Sequence, residues 1–144
     1  MGYIEANLLP DEQIVYKARL HWAIFWKCCA LVFLGTIFLL IQPIAGAVII
    51  AIGVFGALSP IMAYSSSEFA VTNKRVIIKT GFLRRKTLEL LLRHVETISV
   101  DQSVAGRLLN FGSVTLTGSG GVREVFDNIS APLEFRRRIQ GEAS

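Results

Sequence analysis

Residues 28–67, CCALVFLGTIFLLIQPIAGAVIIAIGVFGALSPIMAYSSS, form an uninterrupted run of 40 residues without a charged side chain. The chain has 144 residues, and its 15 Lys or Arg and 11 Asp or Glu all lie outside this run, where they make up 25% of the sequence. That share is ordinary for a soluble domain. The composition therefore divides the chain into an apolar segment and a normally charged remainder. It excludes a disordered chain, and two adjacent cysteines exclude a disulfide framework.

The uncharged run is long enough for two membrane-spanning helices, because each span needs roughly 20 apolar residues. Pro43 lacks a backbone donor and disfavours helix at Gln42, which predicts a transmembrane hairpin with spans at residues 22–41 and 44–64. A soluble buried helix pair fits less well, since no polar residues recur at helical period. A cleaved signal peptide is also disfavoured, because the run is too long. Aromatic residues typical of the membrane interface lie near the ends of the hairpin: Trp22, Trp26 and Tyr64.

The distribution of positive charge predicts the orientation of the hairpin. Lys17, Arg19 and Lys27 precede the first span, twelve Lys or Arg follow the second, and the connecting turn has none. Positive residues favour the cytoplasmic side. We therefore expect a multi-pass protein of the inner (cytoplasmic) membrane with both termini in the cytoplasm.

Small residues in the second span predict close helix packing. Packing within the hairpin and packing between subunits both remain open at this point. Cys28 and Cys29, on the reducing side, are interpreted as packing residues rather than metal ligands. The predicted helix-packing residues are Gly46, Ala47, Ala51, Gly53 and Ala57.

After the hairpin the hydrophobic period changes from helical to alternating, which predicts half-buried antiparallel strands separated by tight turns. We expect a six-stranded antiparallel sheet, a short helix or turn at residues 103–110, and a C-terminal helix with Pro132 in its first turn. Phe135 and Ile139 would form the buried stripe of that helix. Arg136, Arg137 and Arg138 are interpreted as matching the negative end of its dipole, and residues 13–20 as a possible further strand.

At this point the chain resembles a known family. The segment EFAVTNKRVIIKTGFLRRKTLELLLRHVETISVDQSVAGRLLNFGSVTLTGSGG and the helix after it are similar to bacterial pleckstrin-homology (PH)-like membrane proteins of the YdbS-like type. LPDEQIVYKARLHW and the apolar hairpin before it are similar to that family's layout. The resemblance implies an α+β membrane protein whose antiparallel sheet, or partly open barrel, is capped by a C-terminal helix. It implies no enzymatic activity, and related bacterial PH-like domains form homo-oligomers.

These observations divide the chain into an N-terminal cytoplasmic segment at 1–21, the hairpin at 22–64 and a cytoplasmic PH-like domain at 65–144. Residues 65–67 would be the linker that keeps this domain at the membrane surface. Such a surface is negatively charged, so basic residues near it bind lipid headgroups or simply form a solvated positive flank. The candidate membrane-surface residues are Lys74, Arg75, Arg84, Arg85 and Lys86.

No pattern points to catalysis, a cofactor or a metal. His21 and His94 are the only histidines, and no second cluster completes a ligand set. The glycines of residues 118–121 lack the lysine of a phosphate-binding loop. Nucleic-acid binding and a pore are also disfavoured. We expect a homo-oligomeric scaffold or interaction module that uses exposed sheet edges, or alternatively a sensor of anionic lipid headgroups.

Overall fold

The computed structural model describes residues 2–144; Met1, part of the predicted N-terminal segment, lies outside the described residues. Trp22–Ser65 form one compact unit, and residues 2–21 together with Ser66–Ser144 form the other. We call them the apolar unit and the β domain. The elements are α1 Tyr3–Ala6, β1 Ile14–Ala18, α2 Trp26–Ile41, α3 Pro43–Gly56, α4 Leu58–Ser66, β2 Glu68–Thr72, β3 Arg75–Thr80, β4 Lys86–Leu91, β5 Val95–Asp101, α5 Val104–Leu109, β6 Phe111–Gly118, β7 Arg123–Ser130 and α6 Pro132–Ala143.

The apolar unit is a helical hairpin whose break falls at Gln42, where the proline predicts it. Gln42 has an extended backbone, and Pro43 begins α3, where its missing N–H is not needed. By length and hydropathy alone, Trp22–Ile41 and Pro43–Ser66 are each long and apolar enough to cross a membrane. Only 6% and 11% of their most apolar windows are buried. Both helices are therefore mostly exposed in this chain.

Glycines hold the two arms of the hairpin together. Gly35, Gly46 and Gly53 are buried. A Cβ on Gly46 would overlap the backbone of Leu39, and one on Gly35 would lie 2.7 Å from Ile50 Cγ1. Gly46 and Gly53 therefore pack within the hairpin, and Gly35 is a partner that the sequence reasoning missed.

The other small residues of the hairpin behave differently. Ala47 and Ala51 are exposed, and Ala57 is half-buried, so the two alanines lie on the outward face. Cys29 is also exposed, whereas Cys28 is half-buried. The interpretation of Cys29 as a packing residue is therefore wrong for contacts within this unit.

The predicted linker at residues 65–67 is also wrong. Ser65 and Ser66 complete α4, and the Ser65 Oγ donates to the Ile61 carbonyl at 3.0 Å. Only Ser67 lies between α4 and β2.

The β domain has seven strands in two antiparallel sheets, ordered β1-β2-β3-β4 and β5-β6-β7. The single six-stranded sheet predicted from sequence is wrong, because a 3₁₀ turn at Leu92–His94 redirects the chain between β4 and β5. The segment at 13–20 does join the sheet, as β1 beside β2. The two sheets meet at one side through a bridge between Leu20 and Ile129.

β2 and β3 are buried on both faces. The expectation of half-buried strands, with alternating buried and exposed residues, is therefore wrong for these two. On the inner face, Phe69 packs edge-on against Phe126 with ring centroids 5.8 Å apart. On the other face, Ile4 of α1 packs against Ala70 and Ile77. The Glu68 carboxylate accepts the backbone N–H groups of Tyr3 and Ile4 at 3.2 Å each, which fixes α1 over the sheet.

The C-terminal helix buries Phe135 and Ile139 as predicted. It continues to Ala143, however, so the three arginines lie in its middle and not in its last turn. Arg137 and Arg138 form ion pairs with Glu134 at 3.2 and 2.8 Å. The interpretation of residues 136–138 as matching the end of the helix dipole is therefore wrong.

The packing of the hairpin predicts different effects on stability for two glycine substitutions. Gly46→Val forces α2 and α3 apart and should lower stability by about 1–3 kcal/mol, as overpacking does. Gly56→Ala, where a Cβ meets nothing within 4 Å, should leave stability unchanged or slightly raised. Thermal unfolding of the detergent-solubilised chain measures both. Equal melting temperatures for the two variants would contradict the glycine contact.

Candidate functional site

Both chain connections to the apolar unit leave the β domain at the same end. β1 finishes with Ala18 opposite Phe69, the second residue of β2. β3 runs back toward that end, where Thr80 pairs with Lys86 at the start of β4. We call this region the exit end; it comprises residues 19–21, Ser67 and the β3–β4 loop at residues 81–85.

The five predicted membrane-surface residues do not form one cluster. Lys74 lies in the turn between β2 and β3, and Arg75 is the first residue of β3. Arg84 and Arg85 lie at the exit end, and Lys86 directly follows it as the first residue of β4. Arg75 and Thr80, the residue opposite Lys86, are the first and last residues of β3, which places them about 17 Å apart at the usual rise per residue. No common headgroup site contains all five.

Arg75 lies in a buried network and is not available to a lipid. Its Nε and Nη2 atoms each lie 3.0 Å from an oxygen of Glu12, and Nη2 also donates to the Asn7 carbonyl at 2.9 Å. Nη1 pairs with Glu89. The Glu12 side chain is completely buried, so the guanidinium neutralises a carboxylate that would otherwise be costly to bury.

The environment of Glu12 determines its titration. Burial alone would raise the pKa of this carboxyl. Hydrogen bonds from Arg75, the Leu9 N–H and the Thr72 hydroxyl outweigh burial and lower the pKa to about 2. The Thr72 hydroxyl lies 2.7 Å from Oε1. Sequence reasoning missed this network, because Glu12 and Arg75 are far apart in the chain.

Two of the other basic residues also have partners within the β domain. Lys74 Nζ donates to the Pro10 carbonyl at 2.8 Å. Lys86 Nζ lies 2.8 Å from both carboxylate oxygens of Glu124, at the start of β7. Arg84 and Arg85 remain as exposed cations in the β3–β4 loop, so the candidate lipid contact narrows to these two residues.

The β3–β4 loop is closed tightly at its first residue. Gly81 has a φ of +91°, and the Arg84 carbonyl occupies the position that a Cβ would take. Only glycine fits such a position without strain. The loop thereby presents Phe82 and Leu83, which are 60% and 91% exposed, directly before the two arginines.

Of the short helix or turn predicted at residues 103–110, the structure has the helix, α5, and it lies beside the exit end. Ser103 caps it by accepting the Gly106 N–H at 3.1 Å. The His21 ring stacks on Phe111 with centroids 5.0 Å apart. Burial lowers the pKa of His21, and a hydrogen bond to the Leu109 backbone opposes that shift. The end of α5 therefore contacts the last residue before the apolar unit.

The remaining sequence candidates are the histidines, the cysteines and the glycine turn at residues 118–121. Among residues 2–144, no group of three His, Cys, Asp or Glu side chains is placed to hold a metal ion. Gly120 and Gly121 have positive φ values of 93° and 77°, consistent with a turn between β6 and β7. A shallow cavity of about 230 Å³ at the exit end is lined by Leu20, Phe69, Lys86, Glu124 and Phe126, among others.

Comparison with known proteins relates the chain to one family. A family model described as "Bacterial PH domain" matches residues 29–143, from the first apolar helix through α6. A crystal structure of a DUF1696 family protein with a pleckstrin-homology domain, from Shewanella loihica, is similar with a TM-score of 0.51 and 10% identity. The match covers 97% of this chain and 89% of that one. At this identity the likeness concerns the fold alone. Comparison with curated proteins gives no match.

The placement of the basic residues predicts which of two substitutions destabilises the β domain more. Arg75→Gln leaves the buried Glu12 carboxylate unpaired and should destabilise the β domain by about 3 kcal/mol. Lys86→Gln removes an exposed ion pair and should cost less than about 1 kcal/mol. Thermal unfolding in detergent checks the order. An Arg75→Gln variant as stable as Lys86→Gln would contradict the structural role of Arg75.

Acid titration tests the Glu12 network independently. Its pKa of about 2 lies below the ordinary value of 4.5, so the stabilisation is present above pH 4.5 and is lost as the pH falls toward 2. The melting temperature of the native chain should therefore fall more steeply below pH 4.5 than that of Glu12→Gln. Parallel curves for the two proteins would show that Glu12 does not carry this stabilisation.

Proposed function

Because this chain belongs to the bacterial PH domain family, we propose that it is a non-enzymatic, membrane-anchored PH-like protein of the bacterial inner membrane. In this role it acts as a homo-oligomeric scaffold or protein-interaction module on the cytoplasmic face. The closer assignment to the YdbS-like type is part of this proposal, and it rests on the N-terminal segment followed by the apolar hairpin.

One observation carries the proposal: a mostly exposed apolar hairpin is inserted between two paired strands of a folded domain. Helices with so much exposed apolar surface need an apolar surrounding, and a bilayer supplies it. β1 precedes the first helix and pairs with β2 after the second. Cleavage after the first helix would therefore remove a strand, which argues against a signal sequence.

The charge pattern supports a cytoplasmic β domain. All Lys and Arg lie at or beyond the two outer ends of the hairpin, and Gln42 is the only polar residue at its turn. This distribution favours both termini on the cytoplasmic side.

The scaffold role is supported by surfaces that remain open. β4 is an edge strand, since it pairs only with β3 in the sheet order of the described residues. Edge strands accept further strands from partners or sister subunits. Ala47 and Ala51 are exposed on the hairpin, where small residues permit close approach of a second helix.

Binding of anionic lipid headgroups through Lys74, Arg75, Arg84, Arg85 and Lys86 is the alternative function. The contacts of three of these residues weaken it as a five-residue site. A smaller lipid-headgroup site made of Arg84 and Arg85 remains as an alternative, because each exposed cation near an anionic leaflet contributes about 1 kcal/mol of attraction.

Extraction tests the anchoring directly. The full chain should remain in the membrane fraction after washing with alkaline carbonate and should be released by mild detergent. Its intact mass should include β1, because this strand is part of the β domain. Release by carbonate alone would contradict integral anchoring, and loss of β1 would support processing.

Oligomeric state tests the scaffold role. Native mass spectrometry of the chain in mild detergent should give oligomers, and Ala47→Leu/Ala51→Leu should reduce them if the hairpin contributes. Introducing proline into the β4 edge as Thr87→Pro tests the sheet contribution. Only monomers for the native chain would contradict assembly.

A further inference from the structure

The β3–β4 loop combines exposed apolar and basic side chains in four consecutive residues. Phe82 and Leu83 lie at its tip, and Arg84 and Arg85 follow. The tight closure at Gly81 gives the tip a defined shape, because the Arg84 carbonyl packs where a side chain would otherwise be. Packing within the β domain leaves these aromatic and aliphatic side chains exposed side by side, and exposed apolar side chains that adjoin one another often mark an interaction site.

α5 presents a second patch of the same chemistry. Val104 and Leu108 are one turn apart, so they lie on one face of the helix, and they are 77% and 81% exposed. Arg107 is exposed between them. Gln102 Nε2 donates to the carbonyls of Gly106 and Phe111 at 3.3 and 3.1 Å, which holds the helix against the start of β6.

The two patches flank the points where the chain leaves the β domain. The loop adjoins β4, at one side of the four-stranded sheet. α5 adjoins His21, which follows β1 at the other side. Three inter-strand spacings separate β1 from β4, or about 14 Å. The chain connections at His21 and Ser67 belong to the neighbouring strands β1 and β2.

We propose that these two patches form a membrane-docking face of the β domain, with Phe82, Leu83, Val104 and Leu108 entering the lipid interface. Arg84, Arg85 and Arg107 would contact lipid phosphates. This inference rests on the proposed membrane anchoring and extends it, since it adds two contacts outside the hairpin.

The bilayer is favoured as the occupant for two reasons. First, both patches lie at the end where the chain continues into the apolar helices, so the connections hold that end close to the lipid. Second, each patch joins apolar side chains to arginine, the combination that suits the boundary between acyl chains and anionic headgroups. A protein partner would not require both patches to be at the exit end.

Depth-dependent quenching tests the docking face in the full chain. On a Cys28→Ala/Cys29→Ala background, single cysteines are introduced as Leu83→Cys, Leu108→Cys, Ile52→Cys and Glu142→Cys and labelled with a small fluorophore. Ile52 lies in the exposed hairpin. Glu142 lies near Lys74 and Leu91 at the opposite end of the β domain. The chains are reconstituted in phosphatidylglycerol–phosphatidylcholine vesicles with or without brominated acyl chains.

The proposal predicts a graded loss of fluorescence with brominated lipid. Ile52 should lose the most, Leu83 and Leu108 a clear part, and Glu142 none. Arg84→Gln/Arg85→Gln should reduce the loss at Leu83 in these anionic vesicles and leave that at Ile52 unchanged.

The other outcomes separate the two proposals. Quenching at Ile52 without quenching at Leu83 and Leu108 would overturn the docking face and leave the anchoring intact. No quenching at Ile52 would overturn the proposed anchoring itself and the inference with it. If Leu83 and Leu108 are shielded from aqueous iodide yet unaffected by brominated lipid, a protein covers them and the lipid proposal is wrong.

Discussion

The pairing of β1 with β2 is the constraint on which the rest of the structure depends. The two strands are neighbours in the sheet, with Tyr16 opposite Val71 and Ala18 opposite Phe69, although the whole hairpin lies between them in the chain. Antiparallel neighbours bring both ends of the intervening segment to one end of the sheet. The hairpin is itself a helix pair with adjacent ends, so it fits this connection and limits the entropy of closing so long an insertion.

The same pairing gives the N-terminal segment its roles. Once β1 is fixed, α1 lies over the outer face of β2 and β3, where Ile4 covers Ala70 and Ile77. Glu12 is placed beside Arg75, and its carboxylate is neutralised in the interior. A residue that reads as part of a basic surface cluster thus becomes a link between the N-terminal segment and the sheet. The opposite assignment, a cation free to bind lipid, would leave Glu12 buried and unpaired.

Local chemistry could be predicted from the sequence, and long-range geometry could not. Pro43 locates the helix break, Pro132 and the spacing of Phe135 and Ile139 locate α6, and Ser103 locates α5, because each signal acts within a few residues. The division into two sheets depends on a turn at Leu92–His94 that carries no glycine or proline. The burial of Arg75 depends on Glu12, which no spacing rule connects to it. Gly46 and Ala47 are both small residues of the second helix, so the sequence alone does not show which of them packs against α2. The contact of Gly46 with Leu39 of α2 shows that it is Gly46.

For function, we propose an anchored β domain whose exit end meets lipid and whose β4 edge is open to partners. The most direct test of this account is the labelling of single cysteines in intact cells with a membrane-impermeant maleimide, on the Cys28→Ala/Cys29→Ala background. Gln42→Cys, at the hairpin turn, should be labelled from outside, whereas Glu142→Cys should be labelled only after the membrane is opened. Labelling of Glu142→Cys in intact cells, or protection of Gln42→Cys, would contradict a hairpin that crosses the membrane and returns to the same β domain.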